Sequence, residues 1–451
     1  MLEKFGESLT AWARRNMPDP FLFAILLTFL SLILGLLLTS HSLEKMLGFW
    51  KQGFWVFLKF SMQMCMILVT GYALASTDLV RHIIHKIADL PKNSPSAASL
   101  VCFVAVITGF INWGLGIIVG ALTAREVALR AHKRGILVHY PLLGAAGYMG
   151  LAVWHGGLSG SAPLKLAERG HELQDMVGVI PVENTLFSPL NLIVSVMLMV
   201  CLPLLFRALS PSNEKDMLTI DQVIPHINSE GSEQPQIQEP SSTNLAKRLE
   251  RSRLISFLTG ICGVGILVVQ AYRSGSFELS LNQVNFLFLF MGILLHKTPI
   301  AYVNAISDAA SACSGIILQF PFYSGIMGMV KSSGLISIIV QTIQSIATPS
   351  TLSIFTFFSA CLVNIFVPSG GGQWMVQGPI VLQSAQEMGV PVNKVIMAFC
   401  YGDQWTNLFQ PFWALPLLGI TGLRASQIMG YCITVMLIGF LVFPMTLVLF
   451  S

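Results

Sequence analysis

At 451 residues the chain has the length of two or three soluble domains, yet 54% of it is hydrophobic and only 11% charged, against roughly 25% charged in an ordinary globular domain. That excludes a soluble protein, and a net charge of +4 carried largely by short segments beside apolar runs excludes a nucleic-acid partner. The eight cysteines all fall in apolar runs without metal-ligand spacing, so they read as small core residues, and neither a metal nor a cofactor is expected.

A bilayer core needs about 20 apolar residues per helix, and the runs along the chain predict an all-α polytopic membrane protein with about nine crossings. Residues 1–19, with Leu2, Phe5, Leu9 and Trp12 at helical spacing and charges elsewhere, predict a helix lying on the membrane surface. The first membrane repeat (20–206) opens with a run from Pro20 to Ser42, too long for a signal-peptide core, and continues with a span at 54–76 and an amphipathic piece at 79–90. Next comes a stretch free of formal charge, 93–124, centred on GFINWGLG (109–116). Its glycines and Asn-Trp pair predict a re-entrant hairpin with a first arm of about 14 residues, about 21 Å and too short to cross. Glycines and Pro163 break the segment 140–164, and a clean span follows at 186–206.

Residues 207–253 contain NSEGSEQPQIQEPSST (228–243), which offers too little apolar surface to fold and predicts a flexible linker. A connecting span (254–280) leads into the second membrane repeat (281–451), with a span at 305–330, an amphipathic piece at 334–347, an interrupted hairpin around VPSGGGQW (367–374), a broken segment at 394–420 and a last span at 428–450. The halves share one order: two re-entrant hairpins and two broken helices, one of each per half. Collinear matches include Gln63 with Gln319, Asn112 with Asn364, Tyr148 with Tyr401 and Pro163 with Pro416. An odd intervening helix makes these inverted repeats, the pattern of a secondary transporter with its site at the repeat interface. Placing the N-terminus in the cytoplasm puts 18 of the 26 Lys and Arg residues inside, 7 outside and Lys59 in a span, as the positive-inside rule requires.

No hydrolase elbow, P-loop or metalloprotease motif stands in a suitable context, so an enzyme is not expected. Two helix starts inside the membrane instead offer unpaired N–H groups and positive dipole ends to a carboxylate. The candidate substrate-binding residues are Asn112, Trp113 and Gly114 in the first hairpin, and Gly157, Ser159 and Ser161 in the first broken segment. The second half adds Ser369, Gly370, Gly371, Gly372, Gln373 and Trp374 in its hairpin, and Gln404, Trp405 and Asn407 in its broken segment. The bland alternative is that the glycines only permit the turns and the indoles only pack. Asp403 is the only formal charge between Lys394 and Arg424 and has Gly150 at the matching position. A buried carboxylate of this kind can carry a proton or ligate Na⁺. His155 is the second candidate for coupling, although a lone His beside glycines is more often structural. Lys59 reads as a snorkelling ammonium, Arg125 and Glu126 as surface pairing, and Gln63 and Gln319 as helix bridges or cavity lining.

The motifs INWGLG with AREVA (111–128), GGLSGSAPL (156–164), LLHKTPIAY (294–302), QFPFYSGI (319–326), VPSGGGQW (367–374), YGDQWTN (401–407) and QPFWALP (410–416) resemble those of the short-chain fatty acid transporter family, within the broader ion-transporter superfamily. The resemblance covers nearly the whole chain. It implies import of short-chain monocarboxylates of the acetoacetate and butyrate class across the bacterial cytoplasmic (inner) membrane. It also implies an elevator-like motion of a hairpin-bearing domain and frequent homodimers. The Ser-Asn-Thr sodium motif of some superfamily hairpins is absent from both tips, which with Asp403 favours H⁺ symport over Na⁺. The rival expectations are a Na⁺-coupled carrier of another small carboxylate and a passive anion channel.

Overall fold

The computed structural model describes residues 2–224, 245–274 and 280–449, and all regular structure among them is helical. Seven helices are long and apolar enough to cross a bilayer, and four apolar helices of 10–17 residues accompany them. The protein is thus an all-α polytopic membrane protein. The most polar part of the expected linker, 228–243, lies outside the described residues. Its flanks fold as short helices, Ile220–Val223 and Leu245–Glu250.

The first hairpin differs in length from expectation. Its arms are Ser94–Ile111 and Trp113–Lys133, of 18 and 21 residues, so the first is about 27 Å long. A single residue, Asn112, makes the break. Its backbone is extended, its N–H still donates to Thr108 O, and its Oδ1 accepts from Leu115 N–H. One side chain thereby ends one helix and caps the next, and no turn residues are subtracted from either arm.

Glycine decides how closely the arms approach. A Cβ on Gly116 would lie 2.5 Å from Gly109 Cα, and one on Gly120 3.1 Å from Ala105 Cβ, so the arms run antiparallel about Asn112. The first piece of the broken segment, Tyr140–Tyr148, wedges against both arms. A Cβ on Gly120 would sit 2.1 Å from Gly147 O, and one on Gly150 2.7 Å from Ala105 O. The second hairpin, Leu352–Phe366 and Gly370–Glu387, is joined by amides instead. Gln373 Nε2 donates to Ala360 O and Gln377 Nε2 donates to Ser359 Oγ.

Both broken segments are interrupted helices. Tyr140–Tyr148 passes through a 3₁₀ turn into an irregular stretch before Ser161–Ala167, and Val392–Thr406 passes through Asn407–Phe409 into Pro411–Thr421. The second arm of each hairpin packs on the second piece of the opposite half's broken segment. Around this centre stand Pro20–Leu38, Leu43–Gly53, Leu58–Ala75 and Ser314–Ser332. Gly53 and Gly328 cross there with backbone against backbone.

We expect Gly120→Ala to destabilise the protein by about 1–3 kcal/mol, because the added methyl meets a carbonyl that no rotamer change can move. Thermal unfolding of the detergent-solubilised variant measures this; an unchanged midpoint would show that the three-helix contact is looser than described.

Candidate functional site

The two hairpin tips meet one shared stretch, residues 153–161. At the first tip, Trp113 N–H donates to Ser159 Oγ at 3.0 Å and Leu158 N–H donates to Phe110 O at 2.8 Å. Gly157 lies so close that a Cβ there would be 2.4 Å from Phe110 O. At the second tip, a Cβ on Gly370 would be 2.6 Å from the His155 ring, 2.8 Å from Ser161 Oγ and 2.8 Å from the Trp154 indole. Residues of 109–116 and of 367–374 thus both contact this one stretch.

Irregular backbone at this depth must find its hydrogen bonds within the protein, and amides supply them. Gln404 Oε1 accepts from the N–H groups of His155 (3.0 Å) and Gly156 (3.1 Å). Asn191 Nδ2 donates to Gly156 O and Leu186 O, while Asn191 Oδ1 accepts from Tyr401 O–H. In the second half, Asn364 Nδ2 donates to Asp403 O, Thr406 Oγ1 and Asn407 Oδ1. Tyr148 O–H reaches across to Asn407 O and Gln410 O.

Beneath the shared stretch lies an ion-pair geometry with no solvent contact. His155 Nδ1 is 2.6 Å from Asp403 Oδ2, and both residues are 0% exposed. His155 Nε2 accepts from Ala162 N–H at 3.2 Å, so in the neutral ring the proton sits on Nδ1 and is donated to the carboxylate. Asp403 Oδ1 is buried and has no hydrogen-bond partner among the described residues. Trp154 stacks on the imidazole at 4.3 Å.

Above the pair the junction is accessible. Trp113, Ser159, Ser161, Ser369, Gly371 and Gly372 are half-buried. Ser369 caps the helix Gly370–Glu387 by accepting from Gly372 N–H, and Gln373 N–H donates to Ser369 O. The amides of Gly370 and Gly371 precede those bonds at a positive dipole end, the arrangement that receives an oxyanion. The Trp154 indole N–H, buried beside Gly370, has no protein acceptor. An aromatic run closes the flank facing the neighbouring spans: Trp113 with Trp413 at 5.1 Å, Phe60 with Phe320 at 5.7 Å and Phe320 with Phe412 at 4.2 Å.

Three candidates stand apart from this cluster. Gly114 faces Ile67 and Leu281, Trp405 donates from Nε1 to Met436 O and packs on Phe443, and Trp374 is buried against Phe399. Asn112, Gln373, Gln404 and Asn407 hold the backbone of the tips and broken segments. Lys59 is exposed, Gln63 Nε2 donates to Asn282 Oδ1, Arg125 donates to Tyr72 and Glu126 pairs with His85. Sequence reasoning missed Asn191, the residue that anchors Gly156. Its signal was an amide alone inside an apolar span, the same signal that singled out Gln63.

A family model described as short chain fatty acid transporter matches residues 1–450. A protein of Escherichia coli (strain K12), provisionally named a short-chain fatty acid transporter, is 42% identical over 450 residues, covering 100% of both chains. One of Haemophilus influenzae with the same provisional name is 38% identical over 444 residues, 97% of both chains. Solved structures of the YdaH transporter of Alcanivorax borkumensis and of MtrF of Neisseria gonorrhoeae align at 14% and 16% identity, each with a TM-score of 0.40, over 96% and 97% of both chains respectively.

Replacing Gln404 by Leu removes the acceptor of two buried N–H groups, at a cost on the order of 1–3 kcal/mol for each. A lowered unfolding midpoint together with lost transport is the expected result, and a fully stable variant would remove the amide from its clamping role.

Proposed function

The chain belongs to the short-chain fatty acid transporter family, and from that premise we propose that it is a secondary active importer of short-chain monocarboxylates, of the butyrate and acetoacetate class, coupled to H⁺. The observation that carries the reading is the junction itself. Two hairpin tips from different halves of the chain converge on residues 153–161 directly above Asp403. The substrate carboxylate is received by the Gly370 and Gly371 amides with Ser369, Ser159 and Ser161, and its short alkyl tail lies along the Trp113–Trp413 flank. A monoanion suits a place that offers helix N-termini and no lysine or arginine among its residues.

Coupling runs through Asp403. With His155 donating to Oδ2, the free Oδ1 is the atom that takes the proton, and protonation cancels the charge that would repel an incoming carboxylate. Anion and proton then move together as a neutral unit, which lowers the cost of passing through apolar surroundings. The hairpins and broken segments form the moving body in an elevator-like shift against the surrounding spans. The aromatic run at their boundary supports this, since ring contacts without directional bonds can slide. The inverted-repeat topology, a cytoplasmic N-terminus, the bacterial inner membrane and a homodimer complete the proposal. The Lys and Arg distribution supports the orientation, as does the meeting on one face of residues 2–16, 132–139 and 211–222, through Ser212 with Glu3 and Asp221 with His132.

A second reading, coupling to Na⁺, is favoured by one observation. Asp403 Oδ1, Asn364 Oδ1, Gln373 Oε1 and Gln410 Oε1 are all buried oxygens without a protein donor, and oxygens are the ligands a hard cation takes.

Proteoliposome uptake of labelled butyrate decides between these readings. We expect accumulation driven by an inward proton gradient, accelerated by internal unlabelled butyrate, and no requirement for Na⁺. Strict Na⁺ dependence would transfer coupling to these oxygens, and flux without exchange acceleration would mean a channel. For Asp403→Asn we expect gradient-driven accumulation to fall at least about tenfold with butyrate still raising the unfolding midpoint; wild-type accumulation by this variant would remove Asp403 from coupling.

A further inference from the structure

Away from the hairpin tips, the N-terminal helix Leu2–Asn16 roofs a cavity of about 660 Å³ whose floor is His139 and Tyr431 and whose side is the segment 211–218. Backbone packing and side-chain hydrogen bonds hold the helix there. Gly430 lies so close beneath it that a Cβ would be 2.2 Å from Thr10 Cα, and Glu3 accepts from Ser212 Oγ at 2.8 Å.

The lining is polar, and its donors outnumber their partners. His139 is 3% exposed, and its Nδ1 accepts from Leu218 N–H at 2.9 Å. The neutral ring must then carry its proton on Nε2, and that buried N–H has no acceptor among the described residues. Burial and the nearby Arg14 hold this imidazole neutral, lowering its pKa to about 3, so it acts as a fixed donor at physiological pH. Arg14, Arg15 and Lys215 line the same cavity, and none of the three has a carboxylate within ion-pair distance among the described residues. Glu7 and Asp216 are also in the lining. Burial raises the Glu7 pKa, and the neighbouring Glu3 and then Asp216 add to the rise, so the site's acids repel one another while its cations stand unpaired.

We propose that this cavity binds a phosphate oxyanion, one oxygen accepting from His139 Nε2–H and the others meeting Arg14, Arg15 and Lys215. Such a ligand satisfies the orphaned imidazole donor and the unpaired guanidinium beside it at once, and guanidinium is the side chain best matched to phosphate. The volume exceeds what a bare ion needs and leaves room for an ester. Two sources share this chemistry: a free phosphate in the surrounding solution and an anionic lipid headgroup. The helix that roofs the cavity exposes Leu2, Phe5 and Trp12, the side chains of an interfacial helix, which places the cavity at headgroup depth.

The test uses the full chain in detergent. Its unfolding midpoint is followed against inorganic phosphate, with sodium chloride at equal ionic strength as reference, and separately against phosphatidylglycerol with phosphatidylcholine as reference. We expect a saturable rise of the midpoint with phosphate, with phosphatidylglycerol, or with both. A rise with inorganic phosphate assigns the site to a free anion, and a rise with phosphatidylglycerol alone assigns it to the lipid headgroup. The double variant Arg14→Gln, Arg15→Gln should weaken either ligand by at least about tenfold, and Lys215→Gln should weaken it by a smaller factor. Because His139 also anchors Leu218, its part is read without mutation, from a shift of its imidazole nitrogen resonances on adding the ligand. Responses equal to the chloride and phosphatidylcholine references, or full affinity in the double variant, overturn the proposal.

Discussion

Everything in the centre of this molecule depends on keeping non-helical backbone satisfied where water does not reach. Residues 153–161 leave helical geometry inside a shell of buried apolar side chains, and each peptide group there needs a partner. Gln404, Asn191 and the carbonyl of Phe110 provide partners for His155, Gly156 and Leu158. These partners come from three separate elements, so the stretch exists only when both halves are assembled around it. A ligand seated on it touches everything that holds the halves together, which is why such a stretch is both costly to build and suited to control.

The sequence was most informative where chemistry and geometry coincide. Glycine, serine and amide side chains in the middle of apolar runs marked both hairpin tips and both broken segments, because few other residues can leave a helix at that depth. Arm length was misjudged because a glycine-flanked Asn-Trp pair suggests several turn residues, while Asn112 alone ends one helix and caps the next. Trp405 was grouped with its neighbours by proximity in the chain. Helical rotation sends its indole to Met436 and Phe443 instead, away from the tips. Asn191 is a single amide in a 20-residue apolar helix, a signal that asks for a partner without saying which element supplies it. The pairing of His155 with Asp403 spans 248 positions and lies beyond any local signal.

That pairing also explains the asymmetry of the two halves. Gly150, at the position matched to Asp403, is pressed against Ala105 O and Gly109, where no side chain fits. The first half uses that place for close helix contact and contributes the imidazole from five residues further on. The second half meets the same packing demand one residue earlier, at Gly402, whose Cβ would be 2.3 Å from Phe357 O, and so leaves position 403 free for a carboxylate. One acid from the second broken segment and one imidazole from the first join the two.

The hydrogen bonding of the imidazole then limits which atom can change. Ala162 N–H donates to Nε2, so the ring keeps its proton on Nδ1 and keeps donating it to Asp403 Oδ2. Oδ1 is the carboxylate oxygen that stands outside that chain of bonds. Ala162 lies in the first turn of the helix that begins at Ser161, and Ser161 is the residue that Gly370 touches at the tip of the second hairpin. A displacement of that tip therefore acts on Ser161 and Ala162, on the bond they make to Nε2, and through the ring on the carboxylate. The tip of the second hairpin also touches the His155 ring directly, so it stands two contacts from the Asp403 carboxylate, Gly370 to the imidazole and the imidazole to Oδ2, and a path that short is a physical basis on which a displacement of the tip can act on the carboxylate.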